Sequence, residues 1–214
     1  MARGRPREFD VDEAVDTALA VFWDRGYEGA TLADLTDAIG IRRGSLYAAF
    51  GSKEALFDQV LLRYGETIAR YIARAVLLPT AHDVVAAVWR GAVEATTDEN
   101  TPHGCLIVHG ALSCSADNDA VRARLAEIRR SDRQRLRERF RRAVDSGDLS
   151  AGADPEALAT YVATVQHGIA VQARSGASRS ELHSMVDLAL AGLRRPEQPE
   201  QPEQPERPEQ PERS

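Results

Sequence analysis

Residues Thr31 to Lys53 read TLADLTDAIGIRRGSLYAAFGSK, a stretch that leaves the chain few ways to fold. Leu32, Leu35 and Ile39 recur at spacings of three and four, which puts them on one face of a short helix. Thr31 precedes them as an N-cap whose hydroxyl accepts an orphan amide. Asp34, three residues on, is a weaker form of the Glu or Gln that completes a capping box. Gly40 ends the helix, because glycine enters the left-handed backbone region that a sharp exit requires. Ile41 then fills the gap between two crossed helices. A second helix, over about 42–50, turns Leu46 and Phe50 inward beside it. Arg42, Arg43, Ser45 and Tyr47 fall on the other side, and all four carry donors suited to phosphates and base edges. Pattern alone fits equally a helical hairpin with a solvated second helix.

The wider segment RGYEGATLADLTDAIGIRRGSLYAAFGSKEALF separates the two readings. It resembles the DNA-binding segment of the TetR family of one-component repressors. The matching features are Gly26-Tyr27, Thr31, Ala38-Ile39-Gly40-Ile41, Gly44-Ser45-Leu46-Tyr47, Phe50 and Lys53-Glu54-Ala55-Leu56, all in one register. The resemblance covers about residues 9–60 and is architectural beyond them. It implies a helix-turn-helix that reads operator DNA through Thr31, Arg42, Arg43, Gly44, Ser45 and Tyr47, with Lys53 reaching a phosphate.

The 214 residues suffice for one large or two modest domains, and 43% apolar with 28% charged content suits a soluble globular protein. No run of eighteen apolar residues exists, and Arg3, Arg5 and Arg7 have no apolar stretch behind them, so neither a membrane span nor a secretory signal is expected. A cytoplasmic location follows from that reading. A net charge of −6 is unusual for a nucleic-acid binder, but the tail from Pro196, with six Glu and two Arg, contributes −4 of it, leaving −2 for the rest. Affinity for DNA follows local cation placement rather than the total.

The expected fold is all-α, with about nine helices. A basic arm (1–8) leads into a three-helix DNA-binding domain (9–51). An effector-binding and dimerisation domain (52–195) follows, then a disordered Pro/Glu/Gln tail (196–214). Within the arm, Arg3-Gly4-Arg5-Pro6 resembles an AT-hook, in which arginines are drawn into a narrow minor groove. The tail has proline every third residue, which favours extended polyproline II over helix or sheet. Helix 1 spans about 11–25 from an Asp10 cap to Gly26. A long helix from Ser52 to Leu78 links the domains. Further helices are expected over about 81–96, 104–115, 118–146, 155–175 and 179–194, with Asn118 or Asp119 and Ser178 or Ser180 as caps. Ten arginines between Arg122 and Arg142, against three acids, read first as a solvated face. The last two helices are apolar on more than one side, which suits burial against a twin. In the resembled family such a pair forms a four-helix bundle across a two-fold axis.

For the second domain the resemblance implies a small, largely apolar effector held between helices. Candidate lining residues are Trp89, Cys105, Ile107, His109, Leu112, Tyr161, Gln166 and His167. No nucleotide loop, zinc-binding cysteine spacing or hydrolase elbow is present, so no enzyme, cofactor or metal is expected. His103, Cys105 and His109 cluster, but buried packing is the commoner fate of a cysteine. Cys105 carries an alternative reading. Pro102, Gly104, Cys105 and Leu106 resemble a Pro-x-Gly-Cys-Leu segment of some family members in which the cysteine senses oxidants or electrophiles. A helix N-terminus there lowers a thiol's pKa. The expected whole is a homodimeric regulator, most simply a repressor, released from a palindromic operator by its effector. A thiol-switched repressor and a non-specific architectural DNA binder are the alternatives.

Overall fold

The computed structural model describes residues 9–112 and 118–193, without the side chains of 111 and 112. The arm with Arg3 and Arg5, Cys114, the side chain of Leu112 and the tail from Pro196 lie outside that set. The described residues form ten helical segments: α1 (Val11–Gly29), α2 (Leu32–Ile39), α3 (Arg43–Phe50), α4 (Lys53–Thr67), α5 (Tyr71–Ala75), α6 (Ala81–Thr96), α7 (Leu106–Leu112), α8 (Asp119–Asp145), α9 (Pro155–Arg174) and α10 (Arg179–Gly192). None of them is long and apolar enough to cross a membrane.

The local rules act where they were expected. Asp10 accepts the amides of Asp12 and Glu13. Gly26, expected to end α1, kinks it instead at φ 71° and ψ 173°, and helical turns run on to Gly29. Thr31 and Asp34 form the reciprocal capping box, and Gly40 closes α2 at φ 75°. Ser178 caps α10 with a second such box through Glu181.

Two further expectations need correction. The long helix from Ser52 to Leu78 is broken at 68–70 into α4 and α5. Ile68 N and Ala69 N both donate to Tyr64 O at 2.9 Å, which widens the turn and redirects the chain. Asn118 stands at the start of α8 but makes no side-chain cap bond. Its Nδ2 donates instead to Glu28 Oε1 at 2.9 Å, so the amide ties α8 to α1.

Packing follows two apolar clusters. One holds Phe22, Leu35, Leu46, Leu56 and Phe57, and continues through Tyr64 into Cys105, Leu106 and Leu125. The other gathers Val88, Trp89, Phe140, Val162, Ile169 and Val186 from α6, α8, α9 and α10. The helix-turn-helix thus shares its core with α7 and the start of α8.

The seam carries hydrogen bonds too. Trp23 Nε1 donates to Gly104 O at 3.2 Å, and Tyr64 Oη to Cys105 Sγ at 3.3 Å, both buried. Arg174 reaches Asp24 O at 2.6 Å and His103 O at 3.4 Å. Gly104 is at φ +92°, and a Cβ there would sit 2.5 Å from His109 Cε1, so only glycine fits. Trp23→Phe keeps a ring in place but strands the Gly104 carbonyl. It should lower unfolding stability by about 1–3 kcal/mol, read as a reduced urea midpoint at unchanged slope.

Candidate nucleic-acid interface and internal cavity

The outer face of α3 is built by its inner one. Leu46 is fully buried and Phe50 nearly so, which leaves Arg42, Arg43, Gly44 and Tyr47 exposed and Ser45 half-buried. Arg42 is the N-cap but makes no side-chain cap bond, so the first amides of α3 look outward for an acceptor. Gly44 has open space where a Cβ would be. Arg43 Nη2 donates to Tyr47 Oη at 3.3 Å, and its guanidinium lies 5.5 Å from the ring centroid, so the two side chains present one unit.

Behind them, Thr31 is exposed, but its hydroxyl is engaged. It accepts from Asp34 N at 3.1 Å and donates to Asp34 Oδ2 at 2.6 Å. The hydroxyl bond, the Thr31 amide donating to the same Oδ2 at 2.9 Å and Arg25 hold the Asp34 carboxyl down at about 2. Lys53, half-buried at the start of α4, rests its ammonium 4.4 Å from the Tyr27 ring centroid.

Helices α5, α7, α8 and α9 line a small, partly open cavity of about 20 Å³, room for one water. Of the candidate lining residues, Cys105, Ile107, Gln166 and His167 face it. Trp89 does not: it is fully buried, donates to Val162 O at 3.0 Å, and stacks edge-on with Tyr161, which is exposed. His109 turns to the main chain of Cys105, with Nδ1 2.9 Å from the carbonyl oxygen. Among the described residues no group of three or more potential metal ligands gathers.

Tyr71, Arg129 and Asp132, absent from the sequence reading, line the cavity. Gln166 Nε2 donates to Tyr71 Oη at 2.8 Å, and Arg129 Nη1 to Ile107 O at 3.1 Å. Arg129 and Asp132 sit in the arginine-rich run, where sequence gives no sign of which side chains turn inward. The rest of that run is largely tied down. Arg130, Arg135, Arg133 and Arg137 pair with Glu127, Asp132 and Glu156, while Arg139 is buried on the carbonyls of Leu78 and Pro79.

Burial dominates the titrating groups. It pushes the Cys105 thiol up, against the Tyr64 hydrogen bond and the amides of Val108 and Ile107, which pull it down. The helix start acts as expected, but desolvation outweighs it. Burial holds His167 low, helped by Arg129 and Arg133, and raises Asp132 to about 6 against the pull of Arg135.

Residues 14–60 match bacterial regulatory proteins of the tetR family, and residues 81–190 match the tetracyclin repressor-like C-terminal domain. The chain belongs to the TetR family. TetR proteins are DNA-binding transcriptional regulators, not enzymes, and this chain is one of them. It is similar to the transcriptional repressor ComR of Escherichia coli, 33% identical over 198 residues that cover 88% of this chain and 91% of ComR. It is also similar to YezE of Bacillus subtilis, 30% identical over 89% of this chain and 99% of YezE. Among solved structures, a cysteine-substituted form of the TetR regulator CifR, in complex with a 26-base-pair operator, is 44% identical. It superposes at a TM-score of 0.84 over 89% of this chain and 100% of that one.

Asp132 offers a test of the cavity electrostatics. Its folded value, about 6, lies above the ordinary 3.8, so the folded chain keeps this proton longer than the unfolded one. Its contribution to stability is therefore complete below about pH 4 and lost as pH rises through 6. Asp132→Asn should remove that fall. The stability difference between variant and wild type should grow by on the order of 1–3 kcal/mol from about pH 4 to about pH 7 in urea titrations.

Proposed function

We propose that this TetR protein is a cytoplasmic repressor that binds a pseudo-palindromic operator as a homodimer and releases it when a small molecule occupies the second domain. The observation that carries the reading is the outer face of α3, where Arg42, Arg43, Gly44, Ser45 and Tyr47 stand clear of a core made by Leu46 and Phe50. Each recognition helix enters a major groove, with half-sites about 34–36 Å apart or a multiple of that. Arg3 and Arg5 lie along the minor groove, and Lys53 and the first amides of α3 take phosphates. Thr31 assists from the start of α2. The related CifR, solved on double-stranded operator DNA, supports this mode.

The twin is held through α9 and α10. Tyr161, Val171 and Leu188 are large apolar side chains left exposed there, with Leu188 77% accessible. Dimerisation sets the distance between the two readers. An effector that favours a conformer with the wrong separation releases DNA, provided it binds that conformer more tightly.

A second reading makes Cys105 the sensor. Its place on the cavity wall favours this, as does the likeness to CifR, solved with cysteines replaced. Cys105→Ser should then abolish release by oxidant while operator binding persists. An unchanged oxidant response in that variant rules the switch out.

Selection of bound sequences from random duplexes should return an inverted repeat, also found upstream of the chain's own coding region. Tyr47→Ala should lose the operator footprint. Arg43→Ala should weaken binding evenly across sequences if it holds a phosphate, and relax preference at one position by about 1–3 kcal/mol if it reads a base. Retention of the full footprint by Tyr47→Ala would sink the assignment of α3.

A further inference from the structure

Two spaces meet at Tyr71. On its inner side lies the small cavity with Gln166, His167 and Asp132. On its outer side, between the α4–α5 turn and the end of α6, an open groove of about 290 Å³ runs past Arg70, Arg74, Glu94 and Asp98. Tyr71 lines both. The residue is half-buried, and its hydroxyl accepts from Gln166, another residue of the cavity wall, at 2.8 Å. Burial holds that phenol well above its usual range. One aromatic side chain is common to both walls.

Its seat is made for it. A Cβ on Gly91 of α6 would come within 2.8 Å of the Tyr71 ring, so the ring lies against bare helix backbone. Tyr71 also opens α5, a helix of five residues that follows the broken turn at 68–70. So short an element has few hydrogen bonds of its own, and small backbone changes can swing its first side chain.

We propose that the effector site is the union of these two spaces, entered through the outer groove past a displaced Tyr71 ring, and that it takes a small uncharged molecule with an apolar body and one hydrogen-bonding head. This rests on the reading above that a small molecule governs release. A cavity of about 20 Å³ cannot hold an organic effector, whereas groove and cavity together approach the several hundred Å³ that such sites need. Charged groups of both signs line each space, Asp132 with Arg129 and Arg133 inside and Glu94 and Asp98 with Arg70 and Arg74 outside, so no single charge on a ligand is matched throughout. A hydroxyl or carbonyl finds donors and acceptors in Gln166, Tyr71 and His167, while Ile72, Ile107, Val108 and Leu136 line the rest. The site also touches the seam. Cys105 on its wall is bonded to Tyr64 and follows Gly104, which holds Trp23. An occupant that shifts α7 acts on both bonds.

Cys105 reports on the Tyr71 ring without any effector or DNA. The chain has two cysteines, so Cys114→Ser leaves Cys105 as the single thiol. N-ethylmaleimide labelling, followed by intact mass, measures how often the cavity opens. In that background Tyr71→Phe, which keeps the ring and loses the Gln166 bond, should label on the order of fivefold faster. Tyr71→Ala should label at least about tenfold faster, and Gly91→Ala, which crowds the ring from its seat, should also accelerate. Helical circular dichroism and urea midpoints identify any variant whose rate follows unfolding; Tyr71→Phe, which keeps the ring's volume, then decides. Labelling of Tyr71→Phe and Tyr71→Ala at the wild-type rate overturns entry past Tyr71. Benzyl alcohol, benzoate and benzylamine then probe the class on the Tyr71→Ala protein. Benzyl alcohol should protect Cys105 at the lowest concentration, and better protection by either charged analogue overturns the uncharged class. Since labelling needs no operator, failure here leaves the DNA-binding reading standing, and loss of the operator footprint leaves this one standing.

Discussion

The Trp23–Gly104 hydrogen bond, with the Tyr64–Cys105 contact beside it, is the joint on which the arrangement of the molecule depends. Both are buried, so water cannot replace a lost partner, and leaving either group unmade costs more than making it contributes. Through them the core of the helix-turn-helix runs on into α7 and α8 without a gap of solvent. Such a joint transmits displacement. A packed interior does not deform smoothly, so a shift of α7 is met by a shift of α1 and α4 or by a broken bond. The chain has two domains by sequence order, but its packing units divide elsewhere.

Charge is spent differently on the two halves. On α3, arginines face outward beside a tyrosine and an open glycine, available to an anion. On α8, a denser run is tied to carboxylates on neighbouring turns and on α9, or turned onto main-chain carbonyls. Exposed pairs of this kind add little stability each, typically under about 1 kcal/mol. Arg139 is the exception, since its buried guanidinium closes the chain at Leu78 and Pro79 after α5.

The helix-turn-helix half was legible in the sequence. Its determinants are local: a cap and its box at Thr31 and Asp34, a left-handed exit at Gly40, and an apolar period that aims Leu46 and Phe50 inward. Such rules act over three or four residues, so one strand of text contains both partners of each interaction. The helices beyond were legible for the same reason, except where the chain bends. Nothing in the apolar period from Leu56 to Ile72 announces the wide turn at 68–70, because tertiary packing makes it.

The cavity was the part that tertiary structure alone decided. Cys105, Ile107, Gln166 and His167 were readable as candidates, but Trp89 and Tyr161 carry the same apolar and polar signals and pack elsewhere. Tyr71, Arg129 and Asp132 reach the cavity from α5 and α8, whose placement against α7 and α9 the sequence does not show. Likewise the helix start that should acidify Cys105 is present, yet burial by residues far away in sequence reverses the outcome. Sequence by itself determined which segments are helices and which face of α3 is free. The relative placement of those helices, a matter of long-range packing, decided what lines the cavity, what titrates, and how the two halves are joined.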